Sequence, residues 1–185
     1  ILADAPKPDG RSVGAALADQ LTARGEGVEL VTDELTAHLQ TALTDQPSPW
    51  RAIIHLWALD DAADPTDGAA LMQRQERTIG SILHLVQTIT GLAGQPPRLW
   101  VVTQGAQSLA ATERVAVAQT PLWGLGRTVT LEHGELWGGL LDLDPNATAV
   151  DNAQQLLAEL WPPPTTAGET ADHKDSGEEQ IAFRQ

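Results

Sequence analysis

The chain has 185 residues, of which 42% are hydrophobic and 19% charged, a composition typical of a globular domain rather than a disordered segment. Its formal net charge of −14 would repel a phosphate backbone and argues against a nucleic-acid partner. The sequence lacks cysteine, which excludes disulfides and thiolate nucleophiles, and it has no apolar run long enough to enter a membrane. We therefore expect one cytoplasmic domain spanning residues 1–185.

In the first half of the chain, short apolar segments alternate with amphipathic helices. The predicted strands of this half lie at 1–3, 28–31 and 50–59. The predicted helices carry the apolar residues Val13, Ala16, Leu17 and Leu21, and then Leu35, Leu39 and Leu43. The near-continuous apolar run at 52–57 is typical of a parallel strand that is covered on both faces.

The alternation continues in the second half, where an acidic loop leads into a long helix from Leu71 to about Gly94. Further strands are predicted at 98–103, 139–143 and 180–183, and further helices at 121–133 and 150–160. Residues 162–179 are rich in proline and polar residues, which predicts a flexible surface loop. Repeated strand and helix units predict an α/β fold, an open and mostly parallel sheet with helices on both faces.

Several segments resemble a known family in their order along the chain. The segment that begins Trp123-Gly124-Leu125-Gly126-Arg127 and continues to Leu143 is similar to the ketoreductase region of modular polyketide synthases. The segments 52–57, 98–106 and 179–184 resemble the same family. The specific resemblance is to the N-terminal structural subdomain, and it implies a truncated Rossmann-like fold.

The resemblance also implies a role and a partner. In that family, two tandem halves similar to short-chain dehydrogenases build one reductase. The first half supports the second, which binds NADPH and reduces the β-keto group of an intermediate on an acyl carrier protein. By this resemblance the chain binds no cofactor and is not an enzyme on its own. Its partners are the C-terminal catalytic subdomain, active or decayed to a pseudo-ketoreductase, and neighbouring synthase domains.

The sequence contains no tyrosine, the residue on which short-chain dehydrogenase chemistry depends. When Gly124-Leu125-Gly126-Arg127 is aligned with the corresponding family segment, Val115 falls near the tyrosine position and Gln119 near the lysine position. Thr103 falls near the serine position, as a hydroxyl without its partners. A lysine that lowers the tyrosine pKa is needed for proton donation, so no catalytic residue is predicted.

The turn that would bind a pyrophosphate has lost part of its glycine pattern. Gly10 and Gly14 remain, but Ser12 stands where the glycine pair needs its first member. Asp4 and Asp9 add negative charge that repels phosphate. We interpret this segment as a degenerate and empty cofactor loop.

The remaining candidates are weaker. His55 lies in an apolar strand and is interpreted as a core histidine, and the scattered histidines predict no metal site. Asp142 and Asp144 begin a pattern that lacks the glycine and glutamate of a calcium loop.

Two hypotheses complete the prediction. A surface that meets the catalytic half is predicted around Trp100, Trp123, Arg127 and Trp137, because large aromatic residues often fill cores or interfaces. The alternative function is an independent nucleotide-binding, reductase-like enzyme that uses an acid such as Glu132 or His133 at the strand ends. That alternative depends on analogy of fold alone.

Overall fold

A parallel four-stranded sheet forms the centre of the molecule. The computed structural model describes residues 1–4, 12–32, 43, 50–60, 67–92, 94–110, 113–162 and 180–184. The strands are β1 (Ala52–His55), β2 (Arg98–Gln104), β3 (Trp137–Leu143) and β4 (Gln180–Ala182), and they lie side by side in that order. All three pairings are parallel, so every strand ends at the same edge of the sheet.

Among the described residues, one α-helix precedes β1 and one α-helix connects each strand to the next. They are α1 (Val13–Ala23), α2 (Gly68–Thr90), α3 (Pro121–Glu132) and α4 (Ala149–Leu160), and a short 3₁₀ helix (Trp57–Asp60) follows β1. The side chains of Ser12, Asp67 and Thr148 accept a backbone N–H in the first turn of α1, α2 and α4. Helix α3 begins instead with a proline, whose fixed φ suits the first helical turn.

The first residues extend the sheet beyond β1. Leu2 lies between Val31 and His55 and forms a parallel bridge to each. The strands predicted at 1–3 and 28–31 are therefore reduced to these two isolated bridges of Leu2, which corrects the sequence prediction. The reason is register: Leu2 aligns with the last residue of β1, so little of segment 1–4 runs alongside that strand.

Helices cover both faces of the sheet. Ile53, Val101 and Leu140 point to one face and pack with α2 and α3. The next residue of each strand points to the other face and packs with α1 and α4, as shown by Ile54 and Leu141. Apolar side chains on both faces explain the near-continuous apolar strands, and the arrangement confirms the predicted Rossmann-like α/β fold.

Gly126, the second glycine of α3, sets the distance between this helix and the sheet. A Cβ atom added to Gly126 would collide with Leu140 Cδ1 and would lie 2.9 Å from Trp137 Cζ2. At Gly124, two residues earlier, an added Cβ would meet nothing within 4 Å. Gly126 thus allows α3 to rest directly on β3.

Most element boundaries agree with the sequence prediction to within a few residues. The strand predicted at 50–59 ends at His55, because the chain turns into the 3₁₀ helix that begins at Trp57. Most of the helix carrying Leu35 and Leu39, and most of the loop predicted at 162–179, lie outside the described residues.

Candidate functional site

The carboxyl edge of the sheet contains the place where an open α/β sheet usually binds its ligand. In the sheet, Val31 lies on one side of Leu2 and β1 lies on the other side. The chain therefore passes first to the outer side of Leu2 and later to its inner side. Such a reversal in strand order opens a crevice at the carboxyl ends of the strands, and dinucleotides bind there. Helix α1 starts at this crevice, directly after the first segment.

The N-terminus of α1 is occupied by a side chain of the protein itself. Asp4 is buried, and its two carboxylate oxygens accept the backbone N–H groups of Val13 at 3.1 Å and Gly14 at 2.8 Å. Ser12 Oγ accepts the N–H of Ala15 at 3.0 Å. A helix N-terminus attracts a phosphate through these same free N–H groups. Here a carboxylate and a hydroxyl already hold three consecutive N–H groups, so they are not free for a phosphate.

Gly14 has a packing role at this position. A Cβ atom there would lie 2.9 Å from Ala3 Cβ and 3.1 Å from Leu56 Cδ1. The glycine therefore lets α1 closely approach the first segment and the residue that follows β1. Gly10, the other glycine of the predicted loop, lies outside the described residues.

A second set of polar groups is buried where β2 and β3 end. Thr103 Oγ1 donates to Asp142 Oδ1 at 2.7 Å and accepts the indole N–H of Trp123 at 3.2 Å. Thr103 and Asp142 are fully buried, and Trp123 is nearly so. The hydroxyl at the predicted serine position thus lies within a chain of internal hydrogen bonds.

Asp142 is the centre of this network. Its Oδ1 atom accepts hydrogen bonds from Thr103 and from the backbone N–H of Ala106 at 2.8 Å. Its Oδ2 atom accepts from the N–H of Gln107 at 3.1 Å and from Arg184 Nη2 at 2.9 Å. An ionised carboxylate offers about four acceptor sites, so internal donors use all of them.

Arg184 completes the network with every N–H group that it has. A guanidinium carries five donors. Their acceptors are Glu113 Oε2, the carbonyls of Leu143, Phe183 and Gln107, and Asp142 Oδ2. Neither the carboxylate of Asp142 nor the guanidinium of Arg184 retains a free group for a substrate.

The other positions aligned with the catalytic residues also lack acid–base chemistry. Helix α3 begins at Pro121, so Val115 and Gln119 precede the helix instead of lying on it. Gln119 is buried, and its Oε1 atom accepts the backbone N–H of Gln104 at 2.9 Å. The amide at the predicted lysine position therefore binds the end of β2.

His55 is a buried neutral side chain. Its Nε2 atom lies 2.8 Å from Ser81 Oγ. Because that hydroxyl donates to the Thr78 carbonyl, Nε2 carries the proton in this pair. Burial lowers the pKa of His55 to about 4. The result supports the interpretation as a core histidine, although its Nδ1 atom has no hydrogen-bond partner.

The four residues of the predicted partner surface differ in exposure. Trp123 and Trp137 are only 7% and 4% exposed, because both pack in the core between α3 and the sheet. Trp100 is half-buried on the opposite face, and Arg127 is exposed on α3. The two buried tryptophans thus offer little surface to a partner, and the interface itself stays a prediction.

Glu132 and His133 lie away from the carboxyl edge. They end α3 just before β3 begins, which places them beside the amino ends of the strands. The His133 ring lies 3.8 Å from the Glu135 carboxylate. The acids named for the alternative enzyme are therefore separated from Thr103 by the length of the strand.

The described residues form a Rossmann-like domain whose candidate site is filled by its own side chains. Side chains of the domain accept the free N–H groups at the start of α1. The buried polar groups where β2 and β3 end form hydrogen bonds with one another. Within the described ranges, no three histidine, aspartate or glutamate side chains cluster as metal ligands would. In the same part of the chain, no helix is both long and apolar enough to cross a membrane.

Comparison with known proteins identifies the family. The family model described as "Polyketide synthase extender module SpnB, Rossmann fold domain" matches residues 3–185, and the chain belongs to this family. It is 31% identical over its whole length to polyketide synthase GfsA of Streptomyces halstedii. Over 81% of its length it is 35% identical to the pikromycin synthase component PikAII of Streptomyces venezuelae. The chain spans only 2% and 4% of these two proteins.

Solved ketoreductases share the fold. A C2-type ketoreductase from a modular polyketide synthase matches 92% of the chain with a TM-score of 0.64 and 28% identity. The first ketoreductase of the tylosin synthase matches with a TM-score of 0.65 and 22% identity. The chain covers 35% and 33% of these two structures. The domain is therefore a Rossmann-like part of a polyketide synthase ketoreductase region.

Proposed function

We propose that this chain is the non-catalytic structural half of a polyketide synthase ketoreductase region. It packs against a C-terminal catalytic half and stabilises it, and that half uses NADPH to reduce β-ketoacyl intermediates on an acyl carrier protein. The observation that carries the proposal is the Asp4 carboxylate on the N–H groups of Val13 and Gly14. A dinucleotide would have to displace a buried charge that already has good partners.

The closed network at the carboxyl edge supports a structural role. Proton transfer to a ketone needs a donor within hydrogen-bond reach of the substrate oxygen. Thr103 already donates to Asp142, and all five donors of Arg184 are used within the chain. With no tyrosine in the sequence, the polar groups at this edge support the fold rather than a reaction.

A surface for the catalytic half is available on the outer side of α2 and α3. Met72 and Leu83 on α2 are 61% and 42% exposed, and Leu131 on α3 is 86% exposed. Met72 and Leu83 are eleven residues apart, which places them within about 20° of each other around the helix. In the proposed complex the catalytic half covers the aligned pair on α2 and the strongly exposed Leu131 at the end of α3, apolar side chains that would otherwise face water.

The charges on the same surface also fit a protein partner. Arg127 is exposed one helical turn before Leu131, and Glu76 is exposed one turn after Met72. A polar rim around apolar contacts is typical of interfaces between domains of one enzyme. We therefore place the contact with the catalytic half on this surface, which includes Arg127 of the predicted set.

Association with the catalytic half tests the proposal. The wild-type chain, Leu131→Glu and Leu30→Glu are each mixed with the separately produced catalytic half, and binding is measured by isothermal titration. Leu30 is the matched control, since it is 42% exposed but lies next to Val31 at the far edge of the sheet. We expect Leu131→Glu to weaken binding at least about tenfold and Leu30→Glu to leave it unchanged. Equal effects of the two substitutions, or no association of the wild-type chain, would contradict the proposal.

A further inference from the structure

We propose that Arg184 is a latch that holds residues 180–184, here called the closing segment, on the open edge of β3. In this view the attachment of the segment depends more on the guanidinium of Arg184 than on the backbone ladder of β4. The inference does not depend on the proposed function, because it concerns only contacts within this chain.

The backbone pairing of the closing segment is short. β4 has three residues, all half-buried, and it pairs with Leu140, Leu141 and Asp142 of β3. The N–H of Phe183 adds a bond to the carbonyl of Asp142 at 2.8 Å. An isolated edge strand of this length has little stability of its own. Ile181 and Phe183 also pack, half-buried, against the apolar core on the side of α1 and α4, so side chains add to what the short ladder provides.

Arg184 supplies that attachment by joining three parts of the chain. Its Nη1 atom donates to the Leu143 carbonyl at the end of β3, at 3.3 Å. Its Nη2 atom donates to the Gln107 carbonyl in the loop after β2, at 2.5 Å. Its Nε atom lies 3.4 Å from the carboxylate of Glu113, farther along the same loop. One side chain thus ties the closing segment to β3 and to the loop that follows β2.

The ion pair with Asp142 makes this latch strong. The Arg184 side chain is 14% exposed and that of Asp142 is fully buried. Removal of Arg184 would leave the buried Asp142 carboxylate with neutral donors alone, from Thr103, Ala106 and Gln107, and breaking a buried ion pair in this way is strongly destabilising. Loss of the guanidinium should therefore strongly increase how often the closing segment opens. Loss of an exposed arginine should have a much smaller effect on local opening.

Arg98 provides a matched control on the same sheet. Its Nη1 atom donates to the carbonyl of Trp137 at 2.9 Å, but the residue is exposed and lies at the first position of β2. Arg98→Met therefore removes an arginine-to-carbonyl bond from the sheet without leaving a buried charge.

Hydrogen exchange tests the latch directly. Protection of the amides of 181–183 is compared with that of 53–55 in β1, for the wild-type chain, Arg184→Met and Arg98→Met. We expect Arg184→Met to lower protection of the closing segment at least about 100-fold relative to β1, and Arg98→Met to change this ratio less than about threefold. Equal losses in β1 and in the closing segment, or no loss in either, would overturn the proposal.

Arg184→Lys keeps the test decisive if Arg184→Met does not fold. Lysine retains the charge but lacks the planar fork that reaches several acceptors at once. We expect a loss of protection of at least about tenfold in 181–183, with β1 unchanged. Full retention of protection in Arg184→Lys would show that the charge alone is sufficient and would overturn the latch.

Discussion

The carboxylate of Asp4 accepts the backbone N–H of Gly14 at 2.8 Å, and this contact joins the first extended segment to the first helix. A buried carboxylate at a helix N-terminus caps the first N–H groups and offsets the positive end of the helix dipole. In a dinucleotide-binding domain the same N–H groups would face a phosphate. One geometry therefore explains how the helix is stabilised and why we expect no cofactor there.

Asp4→Ala should lower the free energy of unfolding by about 2 kcal/mol, because two buried N–H groups lose a charged acceptor. Urea unfolding of the chain measures the effect. Asp19→Ala is the control, since Asp19 is exposed in the middle of α1, and a change within about 0.5 kcal/mol is expected there. Equal effects of the two substitutions would contradict the capping role of Asp4.

Gly126→Ala and Gly124→Ala form a matched pair on α3. An added methyl at Gly126 collides with Leu140, so this substitution should destabilise the chain by about 1 to 3 kcal/mol. The methyl at Gly124 meets nothing, so alanine should be neutral or stabilise the helix by up to about 1 kcal/mol. Thermal unfolding separates the two, and a Gly126→Ala variant as stable as the wild type would disprove the close packing of α3 on β3.

His55 should make the fold sensitive to acid. Its pKa is about 4 in the folded chain, against 6.5 for an unperturbed histidine, so the unfolded state binds the proton first as the pH falls. The stability that depends on neutral His55 is present above pH 6.5 and is lost as the pH falls towards 4. Protonation linked to this histidine alone should lower the free energy of unfolding by about 2 kcal/mol between pH 7 and pH 5. Unfolding at both pH values, for wild type and His55→Asn, measures it; the same pH dependence in both would rule this assignment out.

Thr103 should matter for stability through its hydroxyl. Thr103→Val leaves the Trp123 N–H without its acceptor and removes a donor from Asp142, so a loss of about 2 kcal/mol is expected. Thr103→Ser keeps the hydroxyl and should cost less than about 1 kcal/mol. Chemical denaturation compares the two variants. A valine variant as stable as the serine variant would show that the buried hydrogen bonds contribute nothing.

The sequence predicted the four paired strands and the described helices well, because apolar periodicity directly reflects burial. The run at 52–57 and the spacing of apolar residues before Gly94 are examples. The prediction failed at 28–31, where Val31 forms a single bridge to Leu2 and the Glu29 carbonyl accepts a hydrogen bond from the N-terminal amine of Ile1. Pairing at that edge depends on the register of Leu2, which no local pattern encodes.

The candidate site was predicted only in part. The weakened glycine pattern was visible in the residues, but the contact of Asp4 with α1 is a tertiary hydrogen bond between segments that periodicity does not connect. The role of Arg184 was missed for the same reason. A signal was present, since Asp142 lies in the apolar run Leu140–Leu143, and a buried carboxylate there requires a positively charged or N–H partner. Nothing in the local sequence names residue 184 as that partner.

Isothermal titration of NADPH into the chain, first alone and then together with the catalytic half, tests the central claim most directly. We predict no binding to the chain alone, since Asp4 already occupies the N–H groups of Val13 and Gly14. Binding to the pair would indicate a support for an active reductase, and no binding to either would indicate a pseudo-ketoreductase. A low-micromolar dissociation constant for the chain alone would contradict the account.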